Sequence, residues 1–110
     1  MRYFVKAEYI ELGASLPLKE FVPMVENLVI PSFKAIVKLE AEKKILACGI
    51  VSGARAGMFI VDVESNDELT RLLQNLPFWG LLKWDVTPLD SPSERIDVET
   101  QMLEHIKKSM

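Results

Sequence analysis

Two pairs of opposite charges, each set two residues apart, are the part of this chain best suited to proton chemistry. Lys6 and Glu8 alternate with apolar residues near the start of the chain, and Lys83 and Asp85 repeat the arrangement on either side of Trp84. Residues two apart on a strand point to the same face, so each pair presents a cation beside a carboxylate. A carboxylate desolvated by burial can take a proton from carbon, and a neighbouring ammonium can stabilise the resulting oxyanion. On this reading Glu8 is the base, Lys6 the oxyanion partner and Asp85 a third catalytic candidate. Phe4 and Lys83 share their faces and would contact a ligand. The alternative is that both pairs are structural ion pairs at the rim of an interface.

Other candidates stand alone. Arg55 lies in the turn Gly53-Ala54-Arg55-Ala56-Gly57, where it either holds a substrate carboxylate in a bidentate contact or faces solvent. Trp79, in Phe78-Trp79-Gly80, either lines a pocket mouth or plugs one end of the core. Gly49, Gly53 and Gly57 lack the strand-to-helix setting of a phosphate-binding loop. Cys48 is the only cysteine and His105 the only histidine. The first sits in the apolar run 45–51 and reads as a core thiol. The second reads as a surface residue. A Cys/His pair or a histidine-rich zinc site is therefore not expected, and neither is a cofactor.

The elements that must position these residues follow from periodicity. Arg2 to Ile10 alternates as a strand, with Tyr3, Val5, Ala7 and Tyr9 on one face and Phe4, Lys6, Glu8 and Ile10 on the other. Glu11 to Pro17 is a loop. Leu18 to Lys44 is helical, with Phe21, Val25, Leu28, Ser32, Ile36 and Leu39 on one stripe. Pro23 is tolerable in a first turn, whereas Pro31 predicts a kink or break. Ile45–Ser52 and Gly57–Glu64 form a hairpin. Ser65 and Glu68 form a capping box that starts a helix ending at Pro77. Leu81–Leu89 is a fourth strand. After a linker, Glu94–Met110 is a tail helix with a narrow apolar stripe at Val98, Met102, Leu103, Ile106 and Met110.

The order βαββαβ predicts an α+β, ferredoxin-like split sheet with both main helices on one face, in which strands one and four are not adjacent. Residues 1–89 form that domain and residues 90–110 a C-terminal helical extension. The uncovered sheet face carries apolar and charged residues together, so a second copy of the sheet is the economical cover; polar residues trapped between the sheets would line a cavity. A length of 110 residues, 49% of them hydrophobic, suits one domain with a packed core. Net charge −3 and a pI near 5.2 disfavour binding to nucleic acid. No apolar run approaches the roughly 20 residues of a membrane span, and Met1–Lys6 is unlike a signal peptide. The cytoplasm is the expected compartment.

The stretch Asp62-Val63-Glu64-Ser65-Asn66-Asp67-Glu68-Leu69, then Leu72-Leu73, Leu76-Pro77 and Val86-Thr87-Pro88-Leu89, resembles muconolactone Δ-isomerases over roughly residues 1–89. The resemblance implies a dimeric α/β barrel of ferredoxin-like fold. Those enzymes commonly carry histidine and arginine on the first strand; Phe4 and Lys6 stand there in this chain. The resemblance thus implies a cofactor-free isomerase, or a monooxygenase-like relative, acting on a small oxygenated molecule. A non-catalytic ligand-binding or regulatory dimer is the alternative, and a self-association module built on the tail helix is a third.

Overall fold

The computed structural model describes residues 1–10 and 16–110; of the expected loop 11–17, residues 11–15 lie outside the described residues. Four strands, β1 (Arg2–Tyr9), β2 (Ile45–Ile50), β3 (Ala56–Asp62) and β4 (Leu82–Leu89), form one sheet in the order β2-β3-β1-β4. The chain runs βαββαβ, as its periodicity predicts. One expectation about the sheet is corrected. Strands one and four are neighbours, paired antiparallel from Arg2↔Leu89 to Tyr9↔Leu82. Each crossover spans one strand position, so β3 fills the gap left by the first and β1 the gap left by the second. The first strand is therefore central, flanked by β3 and β4.

Between β1 and β2 the chain forms α1 (Leu18–Met24), a π-helical turn (Val25–Val29) and α2 (Ile30–Ala41). The interruption falls just before Pro31, which occupies the first turn of α2. That position tolerates a residue without an amide proton. Pro23 lies inside α1, not in its first turn; it lacks the donor its helix would use, and the widened turn begins two residues later. The hairpin between β2 and β3 closes with the Val51 amide donating to the Ala56 carbonyl at 2.9 Å. Gly53 takes φ +75° there, a left-handed conformation that strains other residues.

The core lies between the sheet and these helices. Val5 and Val61 are completely buried, and Tyr3, Ala7, Ile36, Ile45 and Phe59 surround them. The helix α3 (Asn66–Gln74) adds Leu69, Leu72 and Leu73. Alternation along β1 holds throughout: its odd-numbered residues face the helices and its even-numbered ones face away.

The start of α3 departs from a reciprocal capping box. The Ser65 hydroxyl accepts from the Glu68 amide at 3.1 Å, but the Glu68 carboxylate accepts from the amide of Glu64, not Ser65, at 3.0 Å. Glu68 also meets Lys44 at 3.4 Å. The Glu64 amide first, and Lys44 after it, hold the Glu68 carboxyl below its ordinary pKa. A lowered folded-state pKa gives stability that is present above the unfolded value near 4.3 and is lost as pH falls through the folded one. Glu68→Gln is thus expected to flatten the acid side of the stability–pH curve while leaving the basic side unchanged. Urea midpoints at a series of pH values between 2 and 8 check this; parallel curves would refute it.

The last helix, α4 (Pro92–Ser109), buries none of its residues. It extends the molecule to 69 Å along its longest axis, against 31 and 25 Å for the others.

Candidate functional site

Two surfaces are candidates, and the sheet separates them. On the open face, register places Lys6 opposite Asp85 and Glu8 opposite Lys83. The four charges form a checkerboard, with Phe4 opposite Thr87 in the next row. Lys6 Nζ lies 3.2 Å from Glu8 Oε1, and the two side chains are 45% and 53% exposed. An ion pair in that setting contributes about 0–1 kcal/mol. A single chain does not enclose these groups. Toward β2 the same face becomes apolar, with Phe4, Met58 and Ile60 around a shallow hollow.

The other face holds a half-open cavity of roughly 320 Å³ between the sheet, α1, the π-helical turn and the hairpin. Tyr9, Phe21, Met24, Phe33, Phe59 and Phe78 are its large lining residues. Its floor is hollow because small residues face one another there: Ala7 pairs with Gly57 across β1 and β3. A Cβ at Gly57 would lie 3.1 Å from Ile50 Cδ1 and 3.3 Å from the Gly49 carbonyl, so a side chain there fits only if these neighbours give way by a few tenths of an ångström.

Arg55 is the one charged side chain of this lining among the described residues. Its guanidinium carbon lies 5.1 Å from the Tyr9 ring centre and 5.5 Å from that of Phe21. Cation–π attraction of about 0.5–1 kcal/mol at such exposed sites holds the head over aromatic faces and leaves its N–H edge, among the described residues, available to donate. The turn is tied to the strand by the Tyr9 amide, which donates to the Arg55 carbonyl at 2.9 Å. The Tyr9 hydroxyl donates to the Met24 sulfur at 3.4 Å. The cavity can therefore take an apolar body and bind one acidic or carbonyl oxygen group at its charged side.

The residues singled out by sequence fall into three places. Phe4, Lys6, Glu8, Lys83 and Asp85 share the open face. Arg55 is on the opposite side of the sheet, at the cavity. Trp79 is 42% exposed in a short 3-10 turn (Trp79–Leu81), outside the cavity lining; its carbonyl accepts from Trp84 Nε1 at 2.9 Å. Phe78, its neighbour, is the aromatic that faces inward. Trp84 faces the helices and packs on Phe59 and Phe78.

Cys48 packs against the core from β2. Burial, and after it the charge of Glu40, pushes its thiol pKa up, which keeps it protonated and a poor nucleophile. Among the described residues no cluster of histidine, cysteine and carboxylate side chains could hold a metal ion.

The residues that sequence reasoning missed are Tyr9, Phe21, Met24, Phe33, Phe59 and Phe78 as a set. A signal for them exists. Ala7, Ala54, Ala56 and Gly57 leave space among inward-facing aromatics, a pattern that appears only once β1 and β3 are placed in register.

Comparison with known proteins agrees with this architecture. The sequence model of muconolactone delta-isomerase matches residues 1–94. A crystal structure of muconolactone isomerase superposes with a TM-score of 0.66 at 22% identity, covering 84% of this chain and 93% of that one. A 5-chloro-2-hydroxyhydroquinone dehydrochlorinase from Burkholderia phenoliruptrix AC1100, in complex with 2,5-dihydroxybenzoquinone, superposes with a TM-score of 0.58 at 20% identity, covering 84% and 97%. A search of curated protein sequences finds no match. At these identities the two structures speak for the fold.

Proposed function

Because the chain belongs to the muconolactone delta-isomerase family, we propose that it binds a small, oxygen-rich organic anion in the cavity between its helices and its sheet. Arg55 receives the anionic group, and the aromatic walls enclose the carbon skeleton. The observation that carries this reading is one guanidinium at the edge of an otherwise apolar, half-open cavity of suitable size. A cationic group there would stabilise a carboxylate in the ground state or an enolate formed by proton transfer. Muconolactone and 2,5-dihydroxybenzoquinone, the compounds named with the two structural relatives, are both small, oxygen-rich and acidic. They are the natural probes.

Calorimetric titration with each probe tests the reading. Wild-type protein is expected to bind at least one of them. Arg55→Met is expected to weaken that binding about 10- to 100-fold, the loss of a charge-assisted hydrogen bond of about 1.5–3 kcal/mol. Arg71→Met, which alters an exposed helix pair, serves as control. Equal affinity in Arg55→Met and wild type would remove Arg55 from the site.

A second reading is favoured by the checkerboard on the open face. There Glu8, with Lys6 at 3.2 Å, acts as base in an isomerisation, Asp85 and Lys83 complete the polar set, and a second copy of the chain closes the site. Loss of lactone isomerisation, followed by NMR, in both Glu8→Gln and Lys6→Met would support it. Turnover that survives both changes would leave the open face as an interface only.

A further inference from the structure

Among the described residues, two helix faces carry exposed apolar side chains that no described residue covers. One runs along the outside of α1 and α2 and presents Val22, Ile30 and Val37. The other is on α4, where Ile96, Met102, Leu103 and Ile106 are exposed. The joint that carries α4 is fixed. Ser91 accepts from the Glu94 amide at 3.0 Å, and Arg95 bonds both Asp90 at 3.0 Å and Glu99 at 2.9 Å. These contacts order the first turn of α4 where it leaves β4, and none of them ties the helix to the body of its own chain.

The two faces match in length and in charge. Val22 to Val37 spans about 22 Å at 1.5 Å per residue, and α4 about 27 Å. Residues 92–104 carry net −3 (Glu94, Asp97, Glu99 and Glu104 against Arg95), and residues 105–110 carry +2 (Lys107 and Lys108). On the other face, residues 30–38 carry +2 (Lys34 and Lys38), and residues 18–29 carry −1 (Glu20 and Glu26 against Lys19). Antiparallel packing sets the acidic part of α4 against the two lysines and its basic end against the acidic end of α1. Parallel packing opposes like charges at both ends.

We propose that α4 of one chain docks antiparallel on the α1–α2 face of a second copy. Set about three residues from central alignment, so that apolar side chains face one another, the helices bring Val37 near Ile96 and Ile30 near Leu103. The exchange covers both apolar stripes, and most of α4 lies beyond the residues matched by the family, which end at 94.

Disulfide trapping tests the arrangement. Two differently tagged chains, both carrying Cys48→Ala, are co-expressed, one with Val37→Cys and the other with Ile96→Cys. Val37 and Ile96 are each 65% exposed, so neither change disturbs packing, and unchanged circular dichroism confirms this. Under mild oxidation the two tags are expected to appear together in a cross-linked dimer in most of the material. Four results would overturn the proposal. Cross-linking of Ile96→Cys chains to each other would mean that α4 pairs with α4. A cross-linked monomer from a chain carrying both changes would mean that α4 folds back. Preferential trapping of Ile96→Cys by Val22→Cys would reverse the orientation. Absence of cross-linking in every combination would leave α4 without a partner.

Discussion

Phe59→Ala is expected to cost about 3 kcal/mol of folding stability, near the lower end of the ~3–5 kcal/mol typical of a buried phenylalanine. Phe59 is 3% exposed at the middle of β3. Its register partners are Val5 on β1 and Cys48 on β2, and its ring stacks on Trp84 with centroids 6.4 Å apart. Those contacts make the loss large. The moderating factor is the cavity, since Phe59 lines it and its ring on that side already lacks some packing partners. Val5→Ala, in the fully packed part of the core, should cost more for each carbon removed. Urea denaturation followed by circular dichroism gives both numbers. A loss below 1 kcal/mol for Phe59→Ala would mean that the core does not depend on this ring. In a double-mutant cycle, Phe59→Leu with Trp84→Leu should show about 0.5–1.5 kcal/mol of coupling. Against a total stability of about 5–15 kcal/mol, the alanine variant stays folded but loses much of its margin.

The fold was legible in the sequence wherever one residue's neighbours decide its direction. Tyr3, Val5 and Ala7 face the helices and Lys6 and Glu8 face away because strand alternation leaves no other choice. The turn at Gly53 and the cap at Ser65 are likewise local. What could not be read depends on which strands meet. Lys6 opposite Asp85 and Glu8 opposite Lys83 follow from the β1–β4 pairing, which two interleaved crossovers produce, and from a register that residue patterning does not set. The cavity is harder still. Ala7, Gly57, Phe21 and Phe78 come from four separate parts of the chain, and a space is visible only when all four are placed. Sequence singles out Arg55 as an arginine able to reach a carboxylate, but not its surroundings, because Tyr9 and Phe21 approach it only through tertiary structure. Trp79 and Phe78 show the remaining limit: side by side after a helix stop, either aromatic fits the inward position, and the 3-10 turn decides.

Strand alternation explains why charge patterning and the cavity lie on different surfaces. A strand with period two cannot send Glu8 and Ala7 to the same side. A reaction that needs a carboxylate from β1 must therefore occur on the open face, and a ligand held by Arg55 must rely on groups from the hairpin, the helices and the odd-numbered residues of β1. Binding and turnover measured in the Arg55 and Glu8 variants separate the two sites cleanly. The two side chains leave the sheet on opposite sides, so each variant reads chiefly its own surface, although their backbones are neighbours.

Ser32→Ala is expected to cost about 1–3 kcal/mol although it removes a single oxygen. Ser32 is fully buried on α2. Its hydroxyl donates to the Leu28 carbonyl at 2.6 Å and accepts from the Phe78 amide at 2.9 Å, so it joins the long helical segment to the turn after α3. Alanine fits the space but leaves the Phe78 amide buried without an acceptor, and an unmet donor costs more than the net worth of an ordinary hydrogen bond. Each kcal/mol lowers the melting temperature by roughly 4–8 °C in a domain of about this size, so scanning calorimetry resolves the change easily. Hydrogen exchange gives the sharper test. The Phe78 amide should lose protection beyond the global loss, because its partner is gone, whereas amides in β1 and β3 should change only with overall stability. Since Phe78 also lines the cavity, ligand affinity should fall in the same variant. A Phe78 amide that keeps its full protection in Ser32→Ala would show that another group takes the place of the hydroxyl and that the serine adds nothing to the cavity wall.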